Sequence, residues 1–569
     1  MMPRFHAVLL AAVLPMATLP TSPAAVAAPR APAPPEAQAP RTAESRAAAP
    51  QRSLAARLDD GWTRDGTPLI SPAALRLFYE ARGNRLAWSD GGKLSPQAGD
   101  LLAAIRSVDR EGLRPADYHL AAIERLRDRA SKGKRPAPTT DADLVDLDVL
   151  LSDAFFLYAR HLTSGRVNPT AIEPEWNIAG RDAALPLLLA AALGRGHLAG
   201  TLAELPPARD DYRRLRAALA AQRAVAAAGG WPLVAPGPTL REGDRGPRIA
   251  ALRRRLAATG DLPENGPGDQ VCDRQLAQAL RRFQARHGLD ADAIAGGRTL
   301  AALNVPASLR ARQIEANLER LRWLPRDLAP RRLVVNIPDF RLTLTEPGAP
   351  DLSMRVIAGR QSRRTPFFTG EITSVLVNPP WVVPAKIALE DKLPLILGNR
   401  DFFAEERFRL FARAGMAWRE IDPRTVDWKR LPASRFPYRL RQDPGPRNAL
   451  GRLKFQIPNR YDIYLHDTPS RGLFARPDRA YSSGCIRVER AAELAARLLS
   501  PDPAWTRAKI EAAIAAGATL SVPLREPMPV YLLYQTTWVD PDGTVEFRED
   551  VYGRDAALLE ALAGAPAPR

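Results

Sequence analysis

From about residue 331 onward the chain holds one histidine, His466, and one cysteine, Cys485, 19 positions apart. A cysteine is an effective nucleophile when a base takes its proton and positive surroundings hold the thiolate, and histidine is the usual base near neutral pH. In the run Tyr-Asp-Ile-Tyr-Leu-His, alternation puts Ile463 and Leu465 against a core and leaves Tyr464 and His466 on the other face. His466 is then expected to point into a cleft. Cys485 sits in Ser-Ser-Gly-Cys-Ile-Arg-Val just ahead of an expected helix, where Gly484 permits a sharp turn and backbone N–H groups can converge on an oxyanion. The chemistry this pattern suits is nucleophilic attack by a base-activated thiolate. A buried thiol beside a structural histidine is the plainer alternative. The other cysteine, Cys272, opens an expected helix and reads as a structural thiol; two cysteines supply neither a disulfide-dense scaffold nor a four-cysteine zinc site.

The elements that must position the pair follow from hydropathy periods. After a linking helix around 311–324 the period changes from about 3.6 to 2: Phe340, Leu342 and Leu344 alternate with Arg341, Thr343 and Thr345, and 372–377 is another β-rich run. Between a strand ending near Val377 and one starting at Tyr461 lies an insertion of about 80 residues, with helical patterning from about Lys386 to Ala414. Such a length suits a lid. A closing helix carries Val488, Ala491, Leu494, Ala495 and Leu498 on one face, and 530–538 with 544–552 read as a hairpin about Pro541-Asp542-Gly543.

Upstream, helical spacing runs from about Leu58 to Ala228, as in Leu101, Leu102 and Ile105 and again in Leu147, Leu150, Leu151 and Phe155. A Gly/Pro-rich break at 229–238 precedes a small three-helix unit at 240–305, with Ile249, Leu252 and Leu256 on one helix and Leu276, Ala279, Leu280 and Phe283 on the next. A length of 569 residues suits three or four domains. The 46% apolar and 25% charged composition is globular, and a formal charge of +18 points to an acidic partner. Residues 1–27 read as a secretory signal peptide, with an apolar core at 7–19 too short and Pro15-interrupted to span a membrane, and Ala25-Val26-Ala27 as the cleavage signal. The apolar stretch 183–193 is also too short and reads as a buried helix. Export turns the acidic-partner reading away from nucleic acid and toward cell-wall polymer or anionic lipid. Residues 28–57, dominated by Ala, Pro and charge, read as a disordered tether.

The joint text His-Asp-Thr-Pro from His466 and Ser-Ser-Gly-Cys-Ile-Arg-Val from Ser482 resembles the L,D-transpeptidase family, the YkuD-type domain of peptidoglycan biosynthesis. The unit at 240–305, with Phe-Gln-Ala-Arg-His-Gly-Leu from Phe283, resembles a peptidoglycan-binding domain. Asn-Pro-Pro-Trp-Val-Val-Pro from Asn378, Gln-Asp-Pro-Gly-Pro-Arg-Asn-Ala-Leu-Gly from Gln442 and the long insertion resemble the large periplasmic, YcbB-like subclass. The resemblance implies that Cys485 is the nucleophile, His466 the general base and acid, and Gly484 with Cys485 the source of oxyanion N–H groups. Tyr464, Ser482, Ser483, Arg487, Trp381 and Arg447 are the expected substrate-binding residues. Ser483 stands where many members carry histidine, so no role passes to a second histidine.

The implied reaction is attack on the diaminopimelate–D-Ala bond of a tetrapeptide stem, release of D-Ala, and resolution of the thioester by an acceptor amine into a 3-3 cross-link. No metal or cofactor is implied. The expected partners are peptidoglycan stem peptides and glycan strands, not nucleic acid, with no membrane span in the mature protein. The alternatives are a non-catalytic wall-binding scaffold, or a carboxypeptidase or D-amino-acid exchange enzyme on the same site. The expected architecture is multidomain α+β: a helical scaffold at 58–235, a peptidoglycan-binding module at 236–306, a linking helix at 307–330, a mainly-β catalytic domain at 331–525 with a helical lid insertion at about 386–448, and a C-terminal hairpin and tail at 526–569.

Overall fold

In the computed structural model residues 43–90, 93–131, 141–263, 270–431 and 435–564 are described. The expected signal peptide and tether up to residue 42 lie outside them. Residues 1–48 form one unit, of which only 43–48 are described, and residues 49–569 form the other. Helix begins earlier than the expected boundary at 58: Ala43–Asp60 is helical, and Leu54 and Leu58 are buried in the scaffold core. Those two leucines are spaced one helical turn apart, which gives the Ala-rich segment a face to bury.

The scaffold core gathers Leu75, Phe78, Leu101, Ile105, Leu147, Leu150 and Phe155. Asp141–Ser164 is its longest helix after residue 60, and its buried Asp148 carboxylate accepts the Tyr79 hydroxyl (2.6 Å) and the Trp88 amide (2.8 Å). Leu185–Arg195 buries Leu189 and Ala192 but leaves Leu187 exposed, so the stretch read as a buried helix is a half-buried one. Among the described residues no helix is long and apolar enough to cross a membrane.

The small module has helices Pro247–Ala257, Arg274–Arg286 and Gly297–Leu303 around Leu252, Leu256, Leu276, Leu280 and Phe283. Asp273 caps the second, its carboxylate accepting the Leu276 amide at 2.7 Å, so the helix starts one residue beyond Cys272 and its neighbour. Helix Ala307–Arg322 then joins the layers: Ile314 and Leu318 pack with Tyr212 and Leu215 of the scaffold on one side and with Leu533 and Phe547 on the other.

The β domain is a nine-stranded sheet: β1 Arg332–Asn336, β2 Arg341–Glu346, β3 Ala349–Gly359, β4 Phe368–Val377, β5 Leu453–Gln456, β6 Leu465–His466, β7 Ala480–Ser482, β8 Ile486–Val488 and β9 Leu520–Leu533. The spatial order is β7-β3-β8-β6-β5-β4-β9-β1-β2, and β3 pairs with β2 as well as β8, which closes the sheet on itself. Its interior holds Leu342, Val356, Val375, Phe455, Leu465, Ile486 and Leu532, with Leu494, Ala495 and Leu498 from helix Ala491–Leu499. Each such side chain removed from water contributes about 1.5–3 kcal/mol.

Four expectations change. The boundary at 525/526 falls inside β9, whose Val530 pairs with Leu333, so 526–533 belong to the catalytic sheet. The C-terminal hairpin is confined to Thr537–Val539 and Val545–Phe547, and the tail forms a helix, Arg554–Ala563. The insertion is α-helical only through Phe402–Glu405, with single 3-10 turns further on at Pro423–Thr425 and Trp428–Arg430. It then continues as a four-stranded sheet of Trp381–Val382, Arg439–Gln442, Phe408–Ala414 and Ala417–Ile421, because Phe408 and Leu410 alternate with polar residues at a period of two. Finally, β5 lies within the segment read as connection, and the strand expected from Tyr461 is formed only at Leu465–His466. There the Asn459 side chain organises a turn, accepting the Tyr461 amide (2.9 Å) and donating to the Ile463 carbonyl (2.7 Å).

Candidate active site

Strand register brings the chemistry together. β6 and β8 run parallel with His466 beside Arg487 and Leu465 beside Ile486, and β5 runs antiparallel to β6 with Lys454 opposite His466. Leu465 and Ile486 are fully buried in the barrel core, so alternation puts Lys454, Tyr464, His466, Cys485 and Arg487 together on the opposite face. The expected division of Ile463 and Leu465 from Tyr464 and His466 is the one observed.

His466 is 5% exposed, and its Nδ1 lies 2.6 Å from the Asp467 carbonyl oxygen. A carbonyl only accepts, so Nδ1 carries the hydrogen and Nε2 keeps its lone pair. Burial, with the charges of Arg487 and Lys454, pushes the imidazole down to about 3, leaving it neutral at neutral pH. Burial pushes the Cys485 thiol up, against the opposing pull of Tyr464, Lys454 and Arg487. The resting pair is therefore neutral thiol and neutral imidazole. Sγ donates a long hydrogen bond to the Asp462 carbonyl (3.6 Å), on a residue with φ of +53°, rather than to His466.

The Cys485 loop is held from within and from behind. Ser482 Oγ donates to the Cys485 carbonyl (2.6 Å) and accepts the Gly484 amide (3.1 Å). The Gly484 N–H, expected to serve an oxyanion, is thus already engaged. Gly484 itself has φ of +117°, a conformation that disfavours any side chain. Thr365 Oγ1 donates to the Gly484 carbonyl (2.8 Å), and the Tyr552 hydroxyl donates to the Gly359 carbonyl beneath it (2.6 Å). Cys485 precedes strand β8, not the helix, which starts at Ala491; a helix N-terminus does not act on the sulfur.

Residues 330–512 match the family described as L,D-transpeptidase catalytic domain. The chain carries an L,D-transpeptidase catalytic domain. Residues 245–303 match a family described as "Putative peptidoglycan binding domain" and 73–219 one described as "Scaffold domain". A Haemophilus influenzae protein described as "Putative L,D-transpeptidase" is 39% identical over 246 residues, 43% of this chain and 48% of that protein, so the chain spans about half the length of the curated relative it matches. Similar solved structures include an L,D-transpeptidase from Xylanimonas cellulosilytica (13% identical, 52% of this chain and 100% of that one, TM-score 0.16). Another is an L,D-transpeptidase from Stackebrandtia nassauensis (12% identical, 53% and 96%, TM-score 0.19).

Within the L,D-transpeptidase domain the insertion packs on the face that carries Tyr464 and His466. Trp381 is 8% exposed in its apolar core with Ile396, Phe402, Phe408 and Leu440, and Tyr464 packs against that core. Burial and the neighbouring Cys485 thiol push the Tyr464 phenol up, with the Trp381 indole pulling against them. Lys454 Nζ lies 3.9 Å from the Tyr464 ring centroid. Arg487, beside His466 in the sheet, keeps its Nε buried with no hydrogen-bond partner. Arg447 is placed elsewhere: it is exposed and donates to the Glu405 carbonyl (2.9 Å), bracing the insertion.

Residues absent from the sequence-based set complete the site. Arg363 donates to Ser483 Oγ (2.8 Å) and pairs with Asp391 (2.6 Å) and Glu390, tying the insertion to the Cys485 loop; Arg360 adds a contact to Asp391 (3.2 Å). Ser483 therefore serves that tie. Lys454 was discoverable from the alternation of Leu453-Lys454-Phe455-Gln456, but its partner His466 depends on register, which spacing does not carry.

Proposed function

We propose that the protein is a periplasmic peptidoglycan L,D-transpeptidase of cell-wall biogenesis and cell shape, acting through Cys485 and His466. The observation that carries this reading is the single sheet face shared by Cys485, His466, Tyr464, Lys454 and Arg487. The thiol swings from the Asp462 carbonyl toward His466, and Nε2 takes its proton as Sγ attacks the carbonyl joining diaminopimelate to D-Ala. A C–S bond forms, and the Tyr464 hydroxyl and the cations of Lys454 and Arg487 stabilise the oxyanion. The imidazolium returns the proton to the leaving nitrogen as the C–N bond breaks and D-Ala departs. An acceptor amine then attacks the thioester, gives its proton to Nε2, and the C–S bond breaks as that proton returns to sulfur. The product is a 3-3 cross-link.

The orphaned Nε of Arg487 supports a substrate carboxylate at this point, because a buried donor without a partner is costly unless the ligand supplies one. The test is intact-mass analysis of products from a defined tetrapeptide muropeptide. A cross-linked dimer with release of D-Ala is expected; tripeptide alone would make water the acceptor and the enzyme a carboxypeptidase, and unchanged substrate would reject catalysis.

A further inference from the structure

A second concave site lies outside the catalytic face. It has a volume of about 540 Å³ and is walled on one side by residues 285–291 and Arg298 of the small module, and on the other by Pro338–Arg341, 475–480 and Arg548 of the catalytic domain. That size suits a ligand of several sugar or peptide units. Two of its walls lead directly to the nucleophile loop. Ala480 opens β7, which ends at Ser482, and Gln361 stands in the loop whose Thr365 holds Gly484.

Six arginines line this groove: Arg298, Arg341, Arg355, Arg476, Arg479 and Arg548. Four have carboxylate partners. Asp339 is shared by Arg548 (2.8 Å) and Arg341 (3.3 Å), Glu549 takes Arg298 (3.0 Å), and Glu489 takes Arg355. Arg476 and Arg479 form no ion pair among the described residues. Arg479 donates to backbone carbonyls of Val356 (3.2 Å), Arg476 (2.5 Å), Asp339 (3.4 Å) and Phe340 (3.3 Å), and the carboxylates of Asp339 and Glu489 act on its charge. Arg476 is exposed and lies over the half-open ring of Tyr481, 5.7 Å from the centroid. Asp478 is turned to its own chain, accepting the Ala480 amide at 3.1 Å, and Asp290 belongs to the module's wall. Arg476, exposed and in no ion pair among the described residues, is the cation of this wall that an anionic group can reach.

We infer that this groove binds a peptidoglycan strand through the free carboxylates of its stem peptides, guiding it from the small module to Cys485. The inference rests on the transpeptidase reading for the identity of the strand. Guanidinium is suited to carboxylate by its planar fork, and an exposed cation with no ion partner draws an anionic ligand over a neutral one.

The experiment uses the full mature chain. With Cys485→Ala, binding to soluble glycan strands carrying tetrapeptide stems is titrated for the parent, Arg476→Glu, Arg298→Glu and Arg476→Lys, and repeated with strands stripped of their stems. Arg476→Glu is expected to weaken stem-bearing strands about tenfold or more, the effect of one lost charge-assisted contact. Arg298→Glu should weaken them less, and Arg476→Lys should recover most of the affinity. With Cys485 intact, turnover of monomeric muropeptide and acylation by a carbapenem should remain at parent level in Arg476→Glu, while KM for polymeric strands rises. Equal affinity for stem-bearing and stripped strands, or an Arg476→Glu affinity within twofold of the parent, would overturn the inference. Failure of the parent to release D-Ala from muropeptide overturns the enzymatic reading instead, and leaves the binding titrations to decide the groove.

Discussion

Lys454 and His466 are direct partners across antiparallel β5 and β6, and burial drives both toward their neutral forms. A cation opposite an imidazole keeps that imidazole unprotonated, which is the state a general base needs. Replacing His466 with Gln should therefore lower acylation by about 10²–10⁴-fold, the usual range for a lost acid–base group, measured as carbapenem adduct formation by stopped-flow fluorescence. Acylation at parent rate would leave Cys485 without its base.

The same residue sets a pH signature in stability. Its ordinary value of 6.5 falls to about 3 in the fold, so between those values the unfolded chain binds a proton that the native state refuses. Stability from this group is full above about 6.5 and is lost as pH falls toward 3. Melting temperatures of wild type and His466→Gln, compared from pH 7 to pH 3.5, should diverge in slope, with the wild type falling more steeply.

Cys485 should be the sole covalent site. A carbapenem is expected to add one equivalent to the wild type and to Cys272→Ala, and none to Cys485→Ala, by intact mass. Cys272 is buried within the small module, and burial lifts its thiol to about 11, so it holds almost no thiolate at neutral pH. An adduct mapped to Cys272 would contradict this assignment.

Arg363 links Asp391 in the insertion to Ser483 beside the nucleophile. Arg363→Ala and Asp391→Asn should each impair muropeptide turnover, and their double mutant should cost no more than about the larger single effect, because both break one connection. Alkylation of Cys485 by iodoacetamide should persist in all three. Fully additive losses would mean that the two residues act separately.

At Gly484 a Cβ would stand 3.2 Å from Ile463 Cδ1, and the backbone has φ of +117°. Gly484→Ala should cost about 1–3 kcal/mol of stability through backbone strain and slow acylation further, since the strain falls on the turn that aims Cys485. Thermal unfolding and adduct kinetics measure the two effects separately, and a variant equal to wild type in both would show that the turn is not under this constraint.

Residue type and spacing alone brought His466 and Cys485 forward as a candidate pair, separated Ile463 and Leu465 from Tyr464 and His466, and divided the chain into helical scaffold, small helical module and β domain. Those readings rest on local rules: the two-residue alternation of a strand, the 3.6-residue repeat of a helix, and the chemistry of a thiol near an imidazole. The tertiary structure alone decided the rest. Lys454 meets His466 through register, Arg363 reaches Ser483 across 120 residues of sequence, and β9 continues past the expected boundary because Val530 pairs with Leu333. The Gly484 amide turned inward to Ser482 for a reason no spacing conveys: a neighbouring hydroxyl accepts its hydrogen and holds the turn shut. Long-range pairing is set by which buried faces fit together, and a linear pattern records each face without its partner.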